Sequence, residues 1–252
     1  MKYQQDLMIE KKEFLNKNNF LLILKSRTSL PEILPGQFVN ILVHDVADRL
    51  LRRPISIHDA DYSSDTISVV VQKIGKATEK LSLVNEGEVL NVVFPLGNSF
   101  SVEEKRPLLV GGGVGTAPLY YLAKKYYERG IRPVVLIGAR TKEQLFLIEK
   151  YSSIADVYIS IEDGSAGEKG LVTDNSILQK EFSAILTCGP TPMMKAVNKE
   201  ALKKNIPCYV SLENRMACGI GACLCCVSDT VNEGNVCVCT KGPVFDANDL
   251  KW

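Results

Sequence analysis

Apolar residues follow two rhythms along this chain, and the rhythm changes once. Up to about residue 101 they gather in short runs, at 20–24, 37–43, 55–58, 66–72 and 89–94. Gly36, Gly87 and Gly97, with Pro31, Pro35 and Pro95, punctuate these runs. Short strands separated by turn residues at such intervals predict an antiparallel barrel. From Pro107 onward apolar runs alternate with helical stretches: 108–110, a helix over about 117–128, then 133–137, 157–161 and 184–187. Strands alternating with helices predict a parallel sheet covered on both faces. After Val210 the chain becomes rich in cysteine and glycine, and so short a segment depends on bound metal for its folding. The expected fold is multi-domain: an antiparallel β-barrel over 1–101, an α/β parallel-sheet domain over 102–210, and a small cysteine-rich domain over 211–252, without internal repeats.

Composition narrows the partners. Thirty basic and 29 acidic residues nearly cancel, so no charge excess argues for nucleic acid or an anionic membrane surface. The first twenty residues mix Lys, Glu, Asp and Asn, and the run at 20–24 is far shorter than the roughly 20 residues of a spanning helix. A cytoplasmic protein with neither nucleic-acid nor membrane partner is expected. Of its eight cysteines six fall in the last segment, which suits cofactor ligation better than a disulfide framework.

Cys218, Cys223 and Cys226, followed by a later cysteine, have the C-x4-C-x2-C…C spacing of plant-type [2Fe–2S] sites. Gly219, Gly221 and Ala222 suit a loop whose backbone wraps closely round sulfide and leaves its amides free. A four-thiolate zinc site is the alternative, although zinc sites pair their ligands in two short knuckles. The fourth ligand is Cys237 or Cys239, which would share a face if 236–240 were a strand. Cys225 reads as a bystander.

Gly111, Gly112, Gly113, Gly115 and Thr116 follow a buried run and open a helix, where a parallel sheet places a phosphate-binding turn. The segment departs from G-x-G-x-x-G, because Pro118 stands at the third glycine position, and it reads otherwise as a tight strand-to-helix turn. Cys188, Gly189 and Pro190 end the run at 184–187, so they belong at the same sheet edge. Cys188 is there either to face a nicotinamide ring or to pack as a small buried hydrophobe. Cys208 reads as packing only. Arg53, Pro54, Ile55 and Ser56 offer a cation for a phosphate, a rigid backbone and a hydroxyl for a flavin; taken alone, Arg53 reads as a surface cation. His44 and His58 read as solvated or strand-surface residues.

Taken in order, these motifs resemble the ferredoxin reductase superfamily along the whole chain, and within it the electron-transfer subunit of bacterial class 1B dihydroorotate dehydrogenase. The resemblance is carried by Arg52-Arg-Pro-Ile-Ser56, Glu162-Asp-Gly-Ser with Gly167-Glu-Lys-Gly170, the stretch from Glu213 to Cys223, and Gly242-Pro-Val-Phe245. It implies that Arg53, Pro54, Ile55 and Ser56 contact FAD, with Val70, Val71, Gln72, Ala77 and Thr78 completing the site. It also implies Cys239 as fourth ligand, since in the family a cysteine precedes Gly-Pro-Val-Phe by three residues. The chain departs from the family at Val71-Gln72, where Tyr-Arg is usual, at Ala77, where Gly is usual, and at Cys225, where Gly is usual. The missing arginine removes a charge-assisted phosphate contact.

The activity so implied is a relay joining NAD(H), FAD and a [2Fe–2S] cluster to an FMN-containing dihydroorotate dehydrogenase catalytic subunit, in a heterotetramer of two copies of each. Nicotinamides exchange hydride and clusters single electrons, so a flavin must convert between them, and no side-chain acid or nucleophile is required. Three modules carrying three cofactors leave none for an organic substrate. Arg140, where NAD-specific Rossmann folds have an acidic residue, would suit NADP; the resemblance points to NAD. The rival readings are the small subunit of an NADH-dependent ferredoxin:NADP+ oxidoreductase or of a sulfide dehydrogenase and, from another class, an iron or redox sensor.

Overall fold

The computed structural model describes residues 1–44 and 51–252. Six strands, β1 (Tyr3–Phe14), β2 (Asn19–Lys25), β3 (Phe38–Ile41), β4 (Arg53–Asp61), β5 (Thr66–Gln72) and β6 (Val89–Leu96), close an antiparallel barrel in the order β1-β2-β5-β4-β3-β6. Each of the five runs read from the apolar pattern forms a strand, because alternate side chains meet in one interior. In β5 Ile67, Val69 and Val71 point inward beside Phe20, Leu22, Ile41 and Phe94, all of them fully buried. Each such side chain contributes roughly 1.5–3 kcal/mol by leaving water. The strand β1 escaped the pattern: only its Leu7 and Ile9 reach the core, and its pairing with β2 shifts register between Ile9 and Lys11. A short helix, α1 (Lys76–Leu81), joins β5 to β6.

The second layer is built from β7 (Pro107–Gly112), α2 (Thr116–Glu128), β8 (Val134–Ala139), α3 (Ile148–Ile154), β9 (Asp156–Ile161), β10 (Glu168–Lys169), β11 (Ala184–Cys188), α4 (Thr191–Lys203) and β12 (Cys208–Ser211). Its strands run parallel in the order β10-β9-β8-β7-β11-β12. Leu119, Leu122 and Tyr126 of α2 pack with Tyr151 of α3 on one face, and Met194, Val197 and Ala201 of α4 cover the other. The strand order reverses between β7 and β11, which opens a crevice at their C-terminal ends.

The cysteine-rich segment forms the hairpin β13 (Val227–Thr230) and β14 (Gly234–Cys237), one helical turn α5 (Val238–Lys241), and β15 (Val244–Asp246). The last strand returns to the α/β sheet and pairs antiparallel with β12. Asn98, just after the barrel, donates to the carbonyls of Lys241 and Val244 at 2.8 Å each and accepts from the Val244 amide at 2.9 Å. Barrel, sheet and cysteine segment therefore meet along one seam. Among the described residues no helix is long and apolar enough to cross a membrane.

Candidate functional site

The loop at 218–226 is shaped by positive-φ backbone at Gly219, Gly221 and Leu224. Its amides turn inward: those of Ile220, Ala222 and Cys223 lie 3.4, 3.3 and 3.4 Å from the Cys218 sulfur, and the Cys239 amide lies 3.4 Å from the Cys226 sulfur. Desolvation pushes the Cys218 thiol up, but these donors together outweigh it and hold it at about 6, below the ordinary thiol range. The thiolate form is the one a metal takes.

The contacts join Cys218 to Cys223, whose sulfur faces the Cys218 amide at 3.5 Å, and Cys226 to Cys239. Among the described residues no three His, Cys, Asp or Glu side chains stand where one ion could bind them all. Two cysteine pairs ringed by amides fit a two-iron cluster better than a single tetrahedral ion. The strand that would have put Cys237 and Cys239 on one face ends at Cys237, where the chain coils into α5, yet both side chains still reach Cys226. Cys239 is consequently buried against Phe38, Leu96 and Val238, while Cys237 is half-buried at the rim. Cys225 is exposed and directs its sulfur to the Arg215 carbonyl, away from the pairs.

At the other end of the seam, the loops after β7 and β11 touch. A Cβ on Gly115 would lie 2.5 Å from the Cys188 carbonyl oxygen, and one on Gly112 would lie 2.4 Å from the Met193 sulfur. Gly113 (φ +55°) borders open space, so its backbone is bare to an incoming group. Thr116, the first residue of α2, is buried with its hydroxyl unpartnered. Bare amides, a helix N-terminus and an orphaned hydroxyl fit a dinucleotide pyrophosphate. Gly189 and Pro190 line the same edge, where a Cβ on Gly189 would come 3.0 Å from the Gly112 nitrogen. The Cys188 thiol itself is fully buried, and burial pushes its pKa up.

The strand β4 lies between these two sites. Arg53, Pro54, Ile55 and Ser56 are all half-buried, with Ile55 leaning on the barrel core. In β5 Val71 faces the interior, leaving only its backbone to an outside group, whereas Val70 faces outward against Ala117 and Phe146. Gln72 is half-buried at the end of that strand. Ala77 and Thr78 are buried in the first turn of α1, where the Thr78 hydroxyl accepts from the Ile74 and Gly75 amides at 3.0 and 3.2 Å. Ser56, like Gln72, is half-buried, so its hydroxyl and the Gln72 carboxamide are open to solvent or an incoming group. Polar groups accessible on a half-buried strip fit a flavin's polar edge and ribityl chain.

His58 corrects the surface reading. It is wholly buried, its Nδ1 is 2.8 Å from the Ala117 carbonyl of α2, and its ring stacks on Tyr120 with centroids 4.7 Å apart. One residue on, Asp59 meets the Lys124 ammonium at 2.8 Å. The other histidine, His44, is exposed. On the opposite edge of β4, Pro54 pairs with Asn40 of β3, whose Nδ2 donates to the Cys218 carbonyl at 3.1 Å. Thus the strand bearing Arg53 and Ser56 touches the glycine-loop helix on one side and the strand holding the cysteine loop on the other. Asn40 and His58 were missed because their partners lie 178 and 59 residues away.

Comparison with known proteins gives a consistent picture. Residues 213–251 match the iron–sulfur cluster binding domain of dihydroorotate dehydrogenase B, and residues 109–199 match an oxidoreductase NAD-binding domain. A protein of Fusobacterium nucleatum described as the electron transfer subunit of dihydroorotate dehydrogenase B (NAD(+)) is 36% identical over 98% of each chain. One of Bacillus velezensis with the same description is 42% identical over 86% of each. Among solved structures, a chain of an NADH-dependent reduced ferredoxin-NADP oxidoreductase superposes with a TM-score of 0.88 at 33% identity, covering 98% of this chain and 90% of the other. A ferredoxin reductase of carbazole 1,9a-dioxygenase shares the fold, with a TM-score of 0.70 at 18% identity over 82% of this chain and 67% of its own.

Proposed function

Because the chain belongs to the family of electron transfer subunits of dihydroorotate dehydrogenase B (NAD(+)), we propose that its three motifs form one electron path ending at an FMN-containing catalytic subunit. The chain is an oxidoreductase subunit working with NAD(H), FAD and a [2Fe–2S] cluster. In this reading 1–101 carry FAD, 102–210 NAD(H) and 211–252 the cluster, and two copies of each subunit assemble in the cytoplasm. When bound, FAD exchanges hydride for single electrons and the cluster passes electrons singly.

The protein's own residues bind and space these groups. The amides of Gly113 and Gly115 and the Thr116 hydroxyl serve the nicotinamide dinucleotide, and Arg53, Ser56 and Gln72 serve the flavin. Cys218, Cys223, Cys226 and Cys239 hold iron, with the amides of Ile220, Ala222 and Cys223 stabilising thiolate charge at Cys218. The single observation carrying the reading is the placement of β4, in contact with α2 through His58 and, through β3, with the Cys218 loop. Ile220, Leu224 and Val227, exposed around that loop, give the partner an apolar seat.

The experiment is anaerobic purification of the chain alone. Flavin and iron–sulfide absorbance and NADH oxidation with an artificial acceptor are expected, while dihydroorotate oxidation is expected only after an FMN subunit is added. Turnover of dihydroorotate by the isolated chain, or absence of either chromophore, would overturn the reading. Co-purification with a large FAD subunit carrying [4Fe–4S] clusters would favour the ferredoxin:NADP+ alternative.

A further inference from the structure

Asn40 occupies a position where packing alone would select an apolar residue. Along β3, Val39 and Ile41 point into the barrel core, while Phe38 and Asn40 point out toward the cysteine segment. Phe38 packs on Cys226 and Cys239. Asn40, two residues further along that face, is 1% exposed. Its Nδ2 donates to the carbonyl of Cys218 at 3.1 Å, while its Oδ1 is buried without a partner. A buried amide with one unmatched end costs stability that an apolar side chain there would not, so packing does not account for it.

What it holds is tightly placed. A Cβ on Gly219 would stand 2.6 Å from the Asn40 Nδ2, so the loop's first turn rests directly on this side chain. The backbone of Asn40 is fixed in turn. Arg52 donates from Nη1 to the carbonyls of Asn40 and Asn91 at 3.3 and 3.0 Å and from Nη2 to the Asn91 Oδ1 at 2.5 Å, and Asn91 donates to Asp6 at 2.6 Å. Asn40 also pairs across the sheet with Pro54, inside the Arg53–Ser56 strip. The connection from flavin strip to first cluster ligand is thus one strand pairing and one hydrogen bond.

We propose that Asn40 is a positioning residue for electron transfer, holding the Cys218 limb of the cysteine loop in fixed register with the flavin-motif strand. The inference rests on the functional reading above and goes beyond it by naming what sets the spacing between two of its cofactors. Asn40 touches no reacting atom; it acts through the Cys218 carbonyl and the turn at Gly219.

The test uses the anaerobically isolated holo chain and Asn40→Asp, which keeps the shape but replaces the donor by an acceptor facing a carbonyl. Iron and flavin per chain, and NADH oxidation with an acceptor taking electrons directly from flavin, should stay within twofold of the parent. Cluster reduction after mixing with NADH should slow by about tenfold, as small misplacements at reacting centres do. The electron paramagnetic resonance of the reduced cluster should shift as well. Cluster reduction at the parental rate with an unchanged spectrum would overturn the proposal. So would loss of iron in step with the slowing, since the rate per cluster would then be unchanged and the residue would only brace the loop. If the Asp variant does not fold, Asn40→Ala is read by the same criteria. A parent chain lacking flavin or iron–sulfide absorbance overturns the functional reading and this proposal together, whereas a fully loaded parent matched by its variant overturns this proposal alone.

Discussion

Burial by a distant helix gives His58 a charge state its strand alone would not. Desolvation lowers its pKa to about 4, opposed by the hydrogen bond to the Ala117 carbonyl and aided by Lys150 and Lys124. In the unfolded chain the ring takes up a proton near pH 6.5, so between those values the unfolded state binds more protons than the folded one. The stability from keeping this ring neutral is complete above pH 6.5 and is lost as the pH falls toward 4. A loss of about 2 kcal/mol is expected between pH 7 and 5, and denaturant melts should find that slope flattened in His58→Gln; an equal slope in both would assign the effect to other groups. The cysteines divide just as sharply. Cys239→Ser is expected to abolish the iron–sulfide absorbance, and Cys237→Ser to leave it intact, because the Cys239 sulfur is buried beside Cys226 and takes the Gly221 amide of the cysteine loop, whereas Cys237 is half-buried at the rim. The cysteine loop was readable from spacing because three of its cysteines lie within nine residues. The burial of His58 was not, because α2 makes it.

At the level of elements, the loop between β7 and α2 depends on the absence of side chains. Gly115→Ala would drive a methyl to 2.5 Å from the Cys188 carbonyl oxygen, backbone against backbone, and so part the two loops of the crevice. Its KM for NADH should rise at least about tenfold. Gly113→Ala meets no protein atom and in the free chain bears only the positive-φ penalty of roughly 1 kcal/mol, so thermal denaturation should find Gly115→Ala the less stable of the two; equal melting temperatures would contradict this geometry. The cysteine loop exposes Leu224 at 67% through a left-handed backbone. Leu224→Asp should weaken binding of the proposed FMN subunit at least tenfold, by titration, while NADH oxidation with an artificial acceptor is retained. The barrel strands and α2 were legible because period-two runs and a glycine-to-helix transition are local signals. The strand β1 was hidden by its polar outer face, and 236–240 turned into a helix after Cys237 because burying Val238 and Cys239 against the barrel outweighed strand continuity.

For the whole molecule, the change of composition near residue 210 suggests a detachable C-terminal module, but the chain crosses back over it. The three residues of β15 are too short to signal a strand, and their partner β12 lies about 35 residues earlier. That pairing places Ala247 and Leu250 in the same core as Val210, Cys208 and Val197, and Val244 in the core beneath α2. The Leu212 amide donates to the Pro243 carbonyl at 2.9 Å, and Gly97 lies so close to Pro243 that a Cβ there would stand 2.5 Å from its ring. Removing 213–252 would strip these apolar side chains from two cores and leave β12 as a bare edge, a loss on the order of 5 kcal/mol. A domain's whole stability is about 5–15 kcal/mol. The fragment 1–212 is therefore expected to melt well below the full chain or to aggregate, and to lose NADH oxidation although every residue proposed for NAD(H) and FAD remains. Thermal denaturation beside acceptor-linked NADH oxidation checks this: a fragment with the parental melting temperature and rate would mean that the sheet stands without its last strand and that the cysteine segment is an appendage after all.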